Sequence, residues 1–349
     1  MALQKNTQTE NISKIRDKRK WYPSVKELTD SILKRDKTAL ARAITLVEST
    51  KKEDLQKANE IIEKCLAQKN NSIRIGITGV PGVGKSTFIE AFGKKLTALG
   101  KKVAVLAVDP SSTQSKGSIL GDKTRMQELV KDPNAFIRPS PSGISLGGVT
   151  RKTRETIILC EAAGYDIILI ETVGVGQSEV AVHSMVDFFL LLKLPGAGDE
   201  LQGIKRGIIE MADALVINKA DGDNLKRARL AEIDFKNALH LYPPKENGWI
   251  PKVLSCSAQE KTGLDEIWNM IKTYTEEAKK TGSFKLKRQQ QNKNWLLQNL
   301  DDQLKLQFYQ NKAVEKELEK MIEDVVNNKI SPFNAAEKLL EIYNTRISR

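Results

Sequence analysis

Apolar residues in this chain follow two kinds of spacing. Between 25 and about 69 they recur at helical intervals, as in Leu40, Ile44 and Val47 and then Leu55, Ala58, Ile61, Ile62 and Cys65, set among Lys and Glu. That period predicts a helical lead-in. The spacing then changes: residues 73–78 form a short apolar run, followed by a glycine-rich turn and a helix-like stretch at 86–99. Further short runs at 102–108, 165–170, 188–192, 214–217 and 252–256 each end at a polar or glycine-containing segment. Runs of this length, bounded by turn residues, mark strands buried on both faces. Alternating with helical segments, they predict an α/β fold with a mostly parallel sheet covered by helices on both faces. Beyond about 275 the helical spacing returns, with Trp295, Leu296, Leu300, Leu304 and Phe308 on one face and Val314, Leu318, Met321, Ile322 and Val325 on another. Three regions are expected: a helical extension at 1–69, an α/β domain at 70–275, and a helical arm at 276–349 that folds back on the core or forms a dimer.

The first turn has the form of a phosphate-binding loop. Gly79-Val80-Pro81-Gly82-Val83-Gly84-Lys85-Ser86, continuing into Thr87, matches GxxxxGK[ST] and lies between an apolar strand and a helix, as the motif requires. Glycines let the backbone curl until successive N–H groups face phosphate oxygens, and the positive end of the following helix adds to the attraction. Lys85 is expected to reach the β and γ phosphates and Ser86 to ligate magnesium. Such a loop does not choose the base. Asn218-Lys219-Ala220-Asp221, directly after the run 214–217, matches NKxD. Asp221 offers two carboxylate oxygens to the two N–H groups on guanine's Watson–Crick edge, a donor pair that adenine lacks. Asn218 and Lys219 brace that loop, and Ser257-Ala258 resembles the small loop that meets the guanine carbonyl through a backbone amide. These motifs predict a P-loop GTPase.

Two acids, Asp109 and Glu171, close apolar runs and are candidate magnesium residues. Glu171-Thr172-Val173-Gly174 stands where small GTPases carry DxxG, which makes Gly174 the candidate donor to the γ phosphate. Val175 takes the place of their water-orienting Gln, so intrinsic hydrolysis is expected to be slow and to need a partner; Gln177 is the nearest substitute. The stretch Pro195-Gly196-Ala197-Gly198 is free to swing and carries Asp199, Glu200, Lys205 and Arg206. A partner that orders it would bring Lys205 to the charge developing on the phosphate.

Composition narrows the setting. With 349 residues, 40% of them hydrophobic, the chain can bury one good core and still supply extensions. No apolar run approaches the ~20 residues of a membrane span, and no signal-peptide core follows the first basic residues. The expectation is a cytoplasmic protein that contacts no membrane. Cys65, Cys160 and Cys256 are far apart, and neither His183 nor His240 lies at ligand spacing from a cysteine, so buried, reduced thiols are expected rather than a zinc site or disulfides. The net charge of +12 is concentrated at 14–20 and 279–288 without a recognition module, which reads as solvated or partner-facing surface and not as a nucleic-acid interface.

The chain resembles the methylmalonyl-CoA mutase-associated GTPases, the MeaB/ArgK family, in ALARAITLVES (39–49), GVPGVGKSTF (79–88), VAVLAVDPSS (103–112), ILGDKTRM (119–126), ETVGVGQSE (171–179) and PGAGDELQGIKRGIIEMAD (195–213). The resemblance implies a chaperone that uses GTP to gate adenosylcobalamin delivery to a B12-dependent acyl-CoA mutase and to protect that mutase. It further implies a homodimer, with the mutase and its adenosyltransferase as candidate partners, GTP/GDP and Mg2+ as ligands, and switch segments at 109–125, 171–179 and 195–205. The chain lacks the DxHxxG motif of cobalamin domains, and His183 lies in an apolar stretch, so cobalamin is assigned to the partner proteins. Competing readings are a nickel- or cobalt-insertion GTPase, which only two histidines disfavour; a kinase acting on a transport protein, which NKAD disfavours in its ATP-dependent form; and a GTPase that assembles RNA through basic ends.

Overall fold

Seven short strands, β1 (Ile73–Gly79), β2 (Val103–Val108), β3 (Ala135–Arg138), β4 (Ile167–Thr172), β5 (Phe188–Lys193), β6 (Ala214–Ile217) and β7 (Lys252–Ser255), pair in parallel in the order β3-β2-β4-β1-β5-β6-β7. They come from a computed structural model that describes residues 23–68, 71–108, 126–139, 146–172, 178–196 and 206–344. The basic run at 14–20 and the site candidates Asp109, Gly174, Asp199 and Lys205 lie outside the described residues.

The helices follow from local signals. The lead-in is α1 (Val25–Leu33), α2 (Lys37–Glu48) and α3 (Lys52–Leu66). Ser24 and Glu27 form a reciprocal capping box at the start of α1, and the Asp36 carboxylate caps α2. Between the strands run α4 (Lys85–Ala98), α5 (Gln127–Val130), α6 (Leu146–Ala162), α7 (Ser178–His183), α8 (Arg206–Met211), α9 (Leu225–Leu239) and α10 (Leu264–Lys280). The pleat divides their burial. Ile75, Ile77, Leu169, Phe188 and Leu190 share one core with Phe88 and Phe92 of α4 and Trp268 and Ile271 of α10. Leu191, Leu215 and Ile217 point the other way, into a cluster with Ile209 of α8 and Phe235 of α9. Gly76 belongs to this second face, where a Cβ would stand 2.7 Å from the Phe189 ring and 3.0 Å from Val182 of α7. Only a glycine lets α7 lie this close to β1.

Two strand readings differ from the periodicity. β3 is four residues long, too short to register as a run, and is held by its parallel pairing to β2. β4 starts two residues later than its apolar run suggests, because the turn beneath it uses Tyr165 and Asp166: Gly164 has φ +76°, and the Asp166 carboxylate accepts from Lys102 N at 2.8 Å. Glu171 therefore sits inside the strand, paired with Ile77 of β1.

The chain divides into two compact units, one through Lys285 and one from Leu286 onward. α10 runs unbroken across position 275. The second unit contains most of α11 (Ser283–Tyr309), followed by α12 (Lys312–Val326) and α13 (Pro332–Asn344), with the Phe308 and Tyr343 rings 5.4 Å apart. Leu296, Leu300 and Leu304, spaced at four on α11, are exposed. Among the described residues no helix is long and apolar enough to cross a membrane.

Cys65, Cys160 and Cys256 are buried free thiols. Burial raises all three: Cys65 is pushed up to about 11, Cys256 to about 12 with help from the Asp221 charge, and Cys160 higher still beside Glu161. Since the thiolate is the reactive form, and its population vanishes well below these values, a thiol reagent at pH 8 should label none of the three in the folded protein and all three after denaturation. Rapid labelling of the native chain would contradict the packing described here.

Candidate functional site

The site is built where the carboxyl ends of β1, β4, β6 and β7 meet, the edge at which open parallel sheets present their loops. After β1 the backbone curls through Gly79, Gly82 and Gly84 at φ +152°, +82° and +91°, values that side chains with a Cβ rarely adopt. Gly84 then begins α4, and a Cβ on it would fall 2.9 Å from Asn218 Nδ2. Lys85 is buried. Its ammonium donates to Gly79 O at 2.8 Å and Val80 O at 3.3 Å, so the loop's own carbonyls fix it at the mouth of the turn. Burial lowers its pKa, and the charges of Glu171 and Glu179 oppose that shift. Ser86 Oγ donates to Glu171 Oε1 at 3.0 Å, which brings the hydroxyl of the first helical turn onto the carboxylate at the end of β4.

The NKAD end of the candidate site is assembled from β6 and β7. Asn218 is almost fully buried. Its Nδ2 donates to Val83 O at 2.9 Å, and its Oδ1 accepts from Ala258 N at 3.4 Å and from the Cys256 thiol at 3.5 Å. Lys219 takes φ +60° and is exposed, with Cε 3.8 Å from where a Gly84 Cβ would be, so its stem lies over the phosphate loop. Ser257 Oγ donates to Asp221 Oδ2 and accepts from Glu260 N at 3.0 Å, which orients the half-exposed Asp221 carboxylate. Ala220 N bonds to Cys256 O, tying the two base loops together by backbone as well.

The structure thus brings together Lys85, Ser86, Glu171, Asn218, Lys219, Asp221, Ser257 and Ala258. An alcohol and a carboxylate converging beside a phosphate loop are the hard oxygen donors that suit Mg2+. Among the described residues no three His, Cys, Asp or Glu side chains gather as a metal cluster. Asp109, Gly174, Asp199 and Lys205 lie outside the described residues, as do Val175 and Gln177. His183 makes an edge contact with the Phe189 ring, centroids 5.4 Å apart.

Sequence reasoning did not single out the polar group behind the phosphate loop. Thr172 Oγ1 donates to Thr78 Oγ1 at 2.8 Å, and Glu179 Oε1 and Oε2 accept from Thr78 and Ser178, each at 3.5 Å. α7 has six residues, too few for periodicity to show which way Glu179 faces. Strand alternation could have placed Thr78 and Thr172 on one face, but not their partner.

Comparison with known proteins gives the family and the fold. The family described as methylmalonyl Co-A mutase-associated GTPase MeaB matches residues 40–313. A Mycobacterium tuberculosis protein named as a probable GTPase is 51% identical over 309 residues, 88% of this chain and 92% of its own. The mouse mitochondrial methylmalonic aciduria type A homolog is 46% identical over 332 residues, 92% of this chain and 80% of its own, and the Escherichia coli GTPase ArgK is 44% identical over 311 residues, 89% and 94%. A crystal structure titled LAO/AO transport system kinase superposes with a TM-score of 0.74 at 38% identity, over 92% of this chain and 97% of that one.

If Asp221 reads the base, Asp221→Asn should weaken GTP binding by about 100-fold, because two hydrogen bonds to a charged acceptor are worth ~1–3 kcal/mol each and a carboxamide cannot replace both. The same change should strengthen binding of xanthosine triphosphate, whose C2 oxygen accepts where guanine's amino group donates. Titration with both nucleotides tests this, and unaltered GTP affinity would remove Asp221 from base recognition.

Proposed function

The chain belongs to the methylmalonyl-CoA mutase-associated GTPase family, and on that premise we propose that it uses GTP hydrolysis to gate adenosylcobalamin delivery to a B12-dependent acyl-CoA mutase and to protect that enzyme. The observation that carries this reading is the match to the family across 40–313, a span that includes the whole guanine-nucleotide site. GTP hydrolysis is the activity of the family; the gating and the partner are our inference.

In this reading the triphosphate lies along the curl from Gly79 to Thr87, with amide N–H groups and the start of α4 facing its oxygens. Lys85 compensates the charge that builds between the β and γ phosphates. It is already fixed by two carbonyls, so little reorganisation is needed at the moment of reaction. Ser86 and Glu171 hold magnesium, with Asp109 as a further ligand, and the ion would supply positive charge to the phosphate oxygens. Asp221 selects guanine, Ser257 orients it, Lys219 covers the base, and the Ala258 amide lies beside the guanine carbonyl. Gly174 senses the γ phosphate. No Gln follows Gly174 to orient the attacking water, so turnover alone is slow, and a partner that engages the segment carrying Asp199 brings Lys205 to the phosphates.

Cobalamin stays on the partner proteins, the mutase and its adenosyltransferase. The exposed Leu296, Leu300 and Leu304 stripe of α11 supports a homodimer in which a second copy covers it. The transport-kinase title of one similar structure keeps a phosphoryl-transfer reading open to the same experiment.

That experiment is magnesium-dependent hydrolysis of GTP by the purified protein, alone and with the host's B12-dependent acyl-CoA mutase, with ATP as control. We expect slow GTP turnover, acceleration of roughly tenfold or more by the mutase, and inert ATP. Turnover indifferent to every such mutase would keep the GTPase and remove the chaperone. Lys205→Ala should leave basal hydrolysis nearly intact and abolish the stimulation; equal stimulation in the variant would exclude this role.

A further inference from the structure

Behind the phosphate loop, on the face of the sheet turned away from α4, four polar side chains are sealed from solvent: Thr78, Thr172, Ser178 and Glu179, none more than 1% exposed. Thr172 hands its hydroxyl hydrogen to Thr78 at 2.8 Å, and Thr78 hands its own to Glu179 Oε1 at 3.5 Å, while Ser178 meets Oε2 at 3.5 Å. Two long hydroxyl contacts are weak compensation for a buried carboxylate, which a fold tolerates when a cation faces it. The Lys85 ammonium lies on the same stretch of backbone: Thr78, which donates to Glu179, directly precedes Gly79, whose carbonyl accepts from Lys85 at 2.8 Å.

The two acids arrive by different routes. Glu171 alternates with Thr172 along β4, so it points to the α4 side, where Ser86 donates to it at 3.0 Å. Glu179 comes from α7 on the opposite face, which the side-chain-free contact at Gly76 brings close to β1. Between them Lys85 is held by Gly79 O and Val80 O.

We propose that Glu179 is a positioning residue for the phosphate-binding lysine: it steadies the Lys85 ammonium from the α7 face, and Thr78, the residue just before the phosphate loop, steadies Glu179. The placement of α7 thereby becomes part of the phosphate site. This rests on the assignment of Lys85 to the phosphates.

Glu179→Gln keeps the shape and the acceptor for Thr78 while removing the charge. We expect kcat for GTP and affinity for GDP each to fall by about tenfold or more, as misplacement of a charged group at a reacting centre does, with the folded state intact by circular dichroism. Glu179→Asp, which keeps the charge, should recover part of the loss. In a Lys85→Ala background Glu179→Gln should cost no further GDP affinity, since the group it positions is gone. Should Glu179→Gln not fold, Thr78→Val removes the hydroxyl beneath it and should lower kcat in the same direction. Wild-type kcat in Glu179→Gln, tighter GDP binding from simple loss of a negative charge, or an equal loss in the Lys85→Ala background would each overturn the proposal. If Lys85→Ala alone left GDP binding and turnover unchanged, the assignment of Lys85 would fail instead.

Discussion

The Asn218 carboxamide gives its N–H to Val83 and takes hydrogens from Ala258 and Cys256, so the loops that leave β1, β6 and β7 meet at one buried side chain. Strand pairing joins β6 to β7 but does not bring the β1 loop to either, because β5 lies between β1 and β6. Any of these groups left without a partner in the interior would cost about 1–3 kcal/mol, enough to favour one arrangement of the phosphate and base loops over a loose set. Gly84 belongs to the same constraint, because the amide occupies the space its side chain would need. The distance between the phosphate-loop motif and the NKAD loop is thereby built into the fold.

Around that joint the sheet works by alternation. Adjacent residues of β4 serve opposite faces, Glu171 meeting Ser86 of α4 and Thr172 meeting Thr78 and, through it, α7. A slip of one residue in the β1–β4 register would exchange these duties and bury the apolar set on the wrong side, so the pairing of Ile77 with Glu171 is specified by the core as much as by the site. The geometry of the candidate site and hydrophobic burial are enforced by the same register.

Much of this was legible in the sequence because it rests on short-range patterns. The apolar runs located six of the seven strands, the glycines and Lys85-Ser86 declared their turn, and NKAD marked the loop that closes on it. What escaped has physical reasons. β3 is too short for its composition to stand out, and its existence depends on a neighbour distant in sequence. The Asn218 bridge to Val83 spans 135 positions, and nothing local in either segment announces it. Glu179 reads as an ordinary acid in the first turn of a helix, a position where acids are favoured on electrostatic grounds alone, so its inward direction is visible only once α7 is laid on β1.

Gly76 leaves β1 without a side chain where α7 crosses it, and the Val182 and Phe189 side chains fill the gap against bare backbone. Most helix-on-sheet contacts are cushioned by interlocking side chains that absorb small displacements through rotamer changes. Here that compliance is missing on the strand side, three residues ahead of the first glycine of the phosphate turn. At this joint a displacement of α7 toward the sheet meets β1 main chain directly, with no strand side chain between them to repack.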